Sequence, residues 1–464
     1  METSLTSTNV ARRVPAIVMH DNQADAKEAY ARGDYAWAAA KTAYARGDHA
    51  AELQILRHLA EEEGEARAQD SLGVLYENGR GVRQDYAVAM AWYRKAANQG
   101  DATAQFNLGN MYHHGRGVPR SYAEAVTWYR RSAEQGNAFA QNNLAVLYEG
   151  GHGVPQDLTL ALKWYRKAAD QNNPLAEYNL GVAYENGLGV LPDYVEAMRW
   201  YRRAAYRGNA AAQYNVGTLY YCQRGVPQNF PEAAKWYRMA AEQGHVYAQN
   251  NLAVMYEAGQ GVPKDYGEAM KWYQRAAQQG NAAAQFSIGL MHDTGQCVPQ
   301  NYAEAMLWYR RAAERGDAKA QNNLGRMCED GRGVLNDYPE AVKWFRLAAQ
   351  QGLAAAQFNL GRAFEAGRGV PQDYDAAAMW YRKASNQDDA AAQFNLGTLY
   401  YNGRGVEQDM IEAHKWFTLA AARFPSSMAA NIQCALNNRL LAAARLTPSQ
   451  IVEAQKLVKE WKAK

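Results

Sequence analysis

His113 and His114 stand side by side and run into Gly115-Arg116-Gly117-Val118-Pro119. Two chemistries can use such a stretch. Neutral imidazoles ligate zinc or copper. Glycine-rich turns ahead of a helix aim backbone N–H groups at an anion. Either use requires elements that place the residues, and the rest of the chain shows what those elements are.

Tryptophan recurs at Trp92, Trp128, Trp164, Trp200, Trp236, Trp272, Trp308, Trp344, Trp380 and Trp416, always 36 residues apart, and an aromatic follows each one. A fixed period of this length marks a repeat architecture. Numbered 1–36, ten repeats begin at Ala66, Ala102, Ala138, Pro174, Ala210, Val246, Ala282, Ala318, Ala354 and Ala390 and cover 66–425 of the 464 residues. In register with His114 stand Asn78, Gly150, Asn186, Cys222, Ala258, Thr294, Asp330, Ala366 and Asn402, so no partner ligand repeats with it. Neighbours on a helix also point about 100° apart, which keeps two rings from sharing one ion. The pair therefore reads as part of a solvated loop. The Gly-x-Gly recurs in eight of the ten repeats, and only Gln223 and Cys297 break it. Ten helix–helix joints explain that recurrence where ten phosphate sites in one chain do not.

Each repeat reads as two helices. In the first half, positions 3, 7, 8, 10 and 11 are apolar (Ala104, Leu108, Gly109, Met111 and Tyr112 in the second copy), which is helical spacing. Asn or Asp usually precedes that half, as at Asp101, Asn137, Asn209 and Asn281, and caps a helix start. The second half opens at position 20 on a cap former in every copy, from Asp85 and Ser121 to Asp409. The stretch between them, typically Gly-x-Gly-Val-Pro, ends one helix and launches the next. Position 24 is alanine in all ten copies, which lets two helix backbones approach closely, and positions 21, 24, 25, 28, 31 and 32 form the buried stripe.

The pattern carried by residues 104–137, AQFNLGNMYHHGRGVPRSYAEAVTWYRRSAEQGN, resembles the Sel-one-like repeat (SLR) family, a relative of the tetratricopeptide repeat. The resemblance implies an all-α fold, a right-handed α-α superhelix (solenoid) of stacked helix pairs. It also implies the family's usual role, a scaffold or adaptor that binds other proteins. Cysteine-rich members with regularly paired cysteines have been linked to β-lactamase-like activity, but this chain lacks such pairs.

Composition narrows the alternatives. With 50 basic and 47 acidic residues the net charge is +3, which gives no reason to expect a nucleic-acid partner. No run of 18 apolar residues is present, so no membrane-spanning helix is expected. Cys222, Cys297, Cys328 and Cys434 share no recurring spacing and read as free thiols, without metal or cofactor, which suits the cytoplasm. Residues 1–20 read as a disordered tail. The segment 21–65 reads as N-terminal capping helices near 21–32, 34–46 and 48–63, with Trp37, Leu53, Leu56 and Leu59 facing the first repeat. Residues 426–464 read as a C-terminal cap. Thr447-Pro448-Ser449-Gln450 is a capping-box start, and Ile451, Ala454, Val458 and Trp461 share one face of the helix that follows.

The sequence contains no catalytic signature: neither HExxH, nor a phosphate-binding loop with its lysine, nor Gly-x-Ser-x-Gly. The informative surface is the first helix of each repeat. Positions 2, 5, 6, 9, 12 and 13 point away from its core face. Position 6 is asparagine in Asn107, Asn143, Asn179, Asn215, Asn251, Asn323, Asn359 and Asn395. Position 5 is aromatic in Phe106, Tyr178, Tyr214, Phe286, Phe358 and Phe394. Position 12 is acidic in seven repeats, from Glu77 to Glu365, and reads as a solvated rim. Resemblance to tetratricopeptide-like solenoids implies that this helix lines a concave groove, where asparagine can bond the backbone of a bound peptide. The same asparagines and rings can instead staple one repeat to the next. Two functions are expected: an adaptor holding a protein or peptide segment, or an envelope or secreted protein binding glycan or a host surface.

Overall fold

The structure is a computed structural model and describes residues 35–461; the expected tail at 1–20 and first capping helix near 21–32 lie outside them. The described residues form 24 helices. Helix A of each repeat occupies positions 1–13, as in Ala102–His114. Helix B begins at position 21 and runs to position 33, as in Tyr122–Glu134; it is one residue shorter in repeat 9 and one longer in repeat 10.

Capping sets these bounds. Asp101, Asn137 and Asn209 each accept from the N–H three residues on, and the position-20 residues do the same for helix B. These bonds satisfy N–H groups that have no partner inside the helix. At the other end of helix A the first glycine of the joint is left-handed, with φ of 68° at Gly115. The second glycine has a different reason. A Cβ at Gly117 would lie 2.9 Å from the backbone of Tyr86 in the preceding repeat, and one at Gly153 would lie 2.4 Å from Tyr122. Successive repeats thus touch backbone to backbone at this joint. Gln223 and Cys297 do not reshape the turn. They adopt the same left-handed conformation, at φ 57° and 70°.

The chain divides into two compact units, one ending at Gln228 and the other beginning at Asn229. The division falls within repeat 5, after its helix A (Ala210–Cys222) and before its helix B (Phe230–Glu242). Within each unit the helix pairs stack as a solenoid. The core comes from positions 3, 7 and 10 of helix A and 24, 28, 31 and 32 of helix B, such as Ala104, Leu108, Met111, Ala125, Tyr129 and Ala133. Alanine at position 24 is at most 2 % exposed in every repeat.

Helices also cover the stacks at their outer ends. Tyr35–Ala45 and His49–Glu61 place Trp37, Leu56 and Leu59 on Leu72 and Leu75 of repeat 1. At the other end Pro448–Glu460 starts from a formed capping box at Thr447 and Gln450, and Trp461 stands edge-on to Trp416 at 4.9 Å.

Candidate functional site: the far face of helix A

The far face is built around the tyrosine at position 28 of helix B. Tyr93, Tyr165, Tyr201, Tyr273 and Tyr381 donate to Glu77, Glu149, Glu185, Glu257 and Glu365 at 2.5–2.7 Å. Tyr309 reaches Asp293 at 3.2 Å. Burial pushes these hydroxyls well above the usual tyrosine range, so they act as donors. The acidic row is therefore not a solvated rim. Six of its seven carboxylates satisfy a buried hydroxyl of the same repeat. Repeat 8 supplies the contrast: Phe345 has no hydroxyl, and Glu329 pairs with Arg362 at 3.2 Å instead.

The asparagines have two kinds of partner, set by position 5 of the preceding repeat. Where that residue is polar, the amide donates across the repeat boundary: Asn107 to Asp70 at 2.9 Å, Asn179 to Asn142 at 3.0 Å and Asn359 to Asn322 at 2.9 Å. Where it is aromatic, the amide turns to the tyrosine hydroxyl. Asn395 reaches Tyr381 at 3.0 Å, Asn215 and Asn323 face the hydroxyls of Tyr201 and Tyr309, and Asn143 shares the Asn110 side-chain carbonyl with the Tyr129 hydroxyl, at 3.4 Å and 2.6 Å. The Asn251 carbonyl accepts from Asn250 at 3.3 Å.

The position-5 rings pack on the position-28 ring of their own repeat. Phe106, Tyr178, Phe286, Phe358 and Phe394 lie 5.6–6.0 Å from Tyr129, Tyr201, Tyr309, Tyr381 and Phe417, all tilted. Phe106, Asn107 and Asn359 are buried and serve the stack, which removes them from the candidate ligand-binding set. The other eleven candidates, Tyr214 among them, are half-buried. An asparagine with one bond made still carries donor and acceptor capacity.

Positions 2 and 9 complete the face. In repeat 3 they are Phe139 and Val146, 45 % and 38 % exposed, and in repeat 6 Tyr247 and Val254, 49 % and 37 % exposed. Residues seven apart share a helix face, so each pair flanks an asparagine, Asn143 or Asn251. The sequence signal is plain once sought: apolar residues at positions that solvent alone would make polar. From repeat 2 to repeat 7, positions 2, 5, 6, 9 and 13 hold no Asp, Glu, Lys or Arg. Helix B differs. Its position-30 cations cover the tryptophans, with Arg131 4.6 Å from the Trp128 ring centre and Lys95 4.0 Å from that of Trp92. Its position-29 arginines reach forward to the next repeat, Arg94 to Tyr112 and Arg130 to Tyr148, both at 2.6 Å.

Other ionisable clusters are accounted for by packing. His113 lies on the last turn of helix A, not in a loop, with its ring edge-on to Tyr122 at 5.3 Å. Burial, and then the neighbouring cationic groups, lower its pKa to about 4, so it is neutral at pH 7. Among the described residues no three His, Cys, Asp or Glu side chains are placed to hold a metal ion. Glu177, fully buried, is paired with Arg203 at 3.0 Å and Arg207 at 3.2 Å. No described helix is long and apolar enough to cross a membrane.

These repeats have known counterparts. The family model for the Sel1 repeat matches ten consecutive segments: 66–101, 102–137, 138–173, 174–209, 210–245, 246–281, 282–317, 318–353, 354–389 and 390–423. A solved structure of a protective antigen present in uropathogenic Escherichia coli strains, displaying an SLR fold, is 36% identical; the match covers 88% of this chain and 94% of that one, with a TM-score of 0.59. A Sel1 repeat protein from Oxalobacter formigenes is 35% identical over 67% of this chain and 90% of its own, with a TM-score of 0.54. No curated protein matches the chain. With ten matched repeats over most of its length, the chain belongs to the Sel1 repeat family of tetratricopeptide-like helical solenoids.

Proposed function

We propose that the chain is a non-enzymatic adaptor whose helix A face holds an extended segment of a partner protein. The observation that carries this reading is the far face itself. From repeat 2 to repeat 7 its positions 2, 5, 6, 9 and 13 carry no Asp, Glu, Lys or Arg; Phe139 and Val146 are exposed in the first unit and Tyr247 and Val254 in the second, each pair beside a half-buried asparagine amide. An extended peptide needs paired donors and acceptors with apolar contact beside them, and an amide supplies both donor and acceptor. Sel1 repeat proteins are in general protein-interaction scaffolds, and no catalytic family is indicated. Four unpaired thiols and a near-balanced charge favour a cytoplasmic site of action and a protein over a nucleic-acid partner.

A second reading has one observation in its favour: the Escherichia coli relative is a protective antigen. On that reading the chain acts in the envelope or outside the cell and contacts glycan or a host surface. Cell fractionation separates the two. In-cell photo-crosslinking tests the first: a benzophenone side chain placed at Val146 or Val254 is expected to capture a protein partner, and one at Lys163 or Lys271 on helix B is not. Capture from the helix B positions alone would contradict the reading.

A further inference from the structure

Within the second unit the far face changes character over three repeats. Positions 2 and 9 are Tyr247 and Val254 in Val246–Ala258, Ala283 and Leu290 in Ala282–Thr294, and Lys319 and Arg326 in Ala318–Asp330. Tyr247 and Val254 are substantially exposed, and Lys319 and Arg326 are exposed as well. Both outer pairs flank an Asn-Asn dipeptide, Asn250-Asn251 and Asn322-Asn323, so two similar frames present opposite chemistry.

The two cations differ in pairing from the arginine that follows in the next repeat. Arg362, at position 9 of the next repeat, is neutralised by Glu329 at 3.2 Å. Nearby Asp330 and Asp293 are engaged by Arg332. Neither Lys319 nor Arg326 forms an ion pair among the described residues.

We infer that this face reads a partner segment by two features: an apolar side chain seated on Tyr247 and Val254, and a carboxylate seated between Lys319 and Arg326. The inference rests on the adaptor reading above and adds the chemistry of the ligand. Successive A helices meet through side chains, as in the Asn359–Asn322 bond, so their axes lie at the upper end of the roughly 8–10 Å packing range or just beyond it, and two repeats span about 20 Å. An extended chain advances about 3.3 Å per residue, which places the two features about six residues apart. Half-buried Asn251 and Asn323 lie between the members of each pair, where the backbone of such a segment would pass.

The test uses the full chain and a displayed library of random linear peptides. Selected peptides are expected to carry a Leu, Ile, Phe or Met about six residues from an Asp, a Glu or the terminal carboxylate. Their affinity for the Lys319→Glu/Arg326→Glu variant should fall at least tenfold, and exchanging the peptide's acid for lysine should restore it. Thermal unfolding of that variant should match the parent, because both side chains are exposed. Peptides that lose affinity with Asn323→Ala but keep it with the charge-reversed variant would overturn this inference and leave the adaptor reading standing. Peptides indifferent to every helix A substitution would overturn both. Self-association of the chain that the charge reversal abolishes would assign the face to a second copy and overturn the peptide assignment.

Discussion

The side-chain amide of Asn359 donates to the side-chain oxygen of Asn322 at 2.9 Å, across the boundary between two successive repeats. Asn179 does the same to Asn142 and Asn107 to Asp70. Three copies of one bond, with one acceptor changed from amide to carboxyl, form an internal experiment on what a buried polar ladder needs.

Asp70 is the costly member. Burial, and then the charge of Asp101, raise its pKa from 3.8 to about 7. The neutral form is the one the fold favours, so its contribution to stability is fully present below pH 3.8 and is lost as pH rises through 7. Asp70→Asn keeps the bond to Asn107 and removes the titration. Its melting temperature should exceed the parent's at pH 7.5, by a stability gain on the order of a few kcal/mol, and the gain should vanish at pH 4.

His245 has the opposite sign. It caps helix A of repeat 6 by accepting from the Ala248 N–H at 3.2 Å, and burial lowers its pKa to about 4. Its contribution is present above the unfolded value of 6.5 and is lost as pH falls through that value toward 4. Asparagine holds this position before repeats 3, 4, 5 and 7. Thermal melts of His245→Asn between pH 7 and pH 4 should therefore show a shallower decline than the parent's.

Asn250 lacks its partner. Position 6 of the next repeat is Ser287, and the Asn250 carbonyl oxygen is buried without a bond. A buried unsatisfied acceptor costs about 1–3 kcal/mol. Ser287→Asn restores the side chain that the other three ladders use, and denaturant unfolding should show a gain of about 1 kcal/mol.

Gln223 and Cys297 hold left-handed backbone where the other repeats have glycine. That conformation costs a residue with a Cβ about 1–2 kcal/mol, part of which glycine returns as chain entropy. Gln223→Gly and Cys297→Gly should each raise the melting temperature, Cys297→Gly by more, because its turn position abuts the preceding repeat's backbone in the other copies.

Much of this was legible in the sequence for a simple reason. Trp92 to Trp416 fix the period, Asp85 to Asp409 fix each start of helix B, and Gly115 and Gly117 fix the joint, all through local backbone chemistry that repeats without a gap. The candidate site was half legible. Position 6 stood out as a row, yet the partner that Asn359 or Asn323 takes depends on a residue 37 positions earlier, Asn322 or Phe286, which a single helical wheel does not show. The glutamate row misled because position 12 looks solvated on its own helix, whereas its partner hydroxyl comes from helix B. Val146 and Val254 do not stand out in the sequence, because position 9 is valine in four copies and varies from asparagine to arginine in the others.

The central claim is that the helix A face binds and the helix B face does not. Its most direct test is the affinity of the crosslinked partner's segment, measured beside thermal unfolding, for the full chain and three variants. Val254→Asp and Asn251→Ala/Asn323→Ala should each weaken binding at least tenfold, since each lost hydrogen bond to the peptide strands a polar group at about 1–3 kcal/mol; the asparagine variant also loses the Asn250–Asn251 bond and should melt somewhat lower while staying folded at the assay temperature. Lys271→Ala/Lys343→Ala, on exposed helix B side chains, should bind as the parent does. Undiminished affinity in both helix A variants, or a loss confined to the lysine variant, would contradict the account.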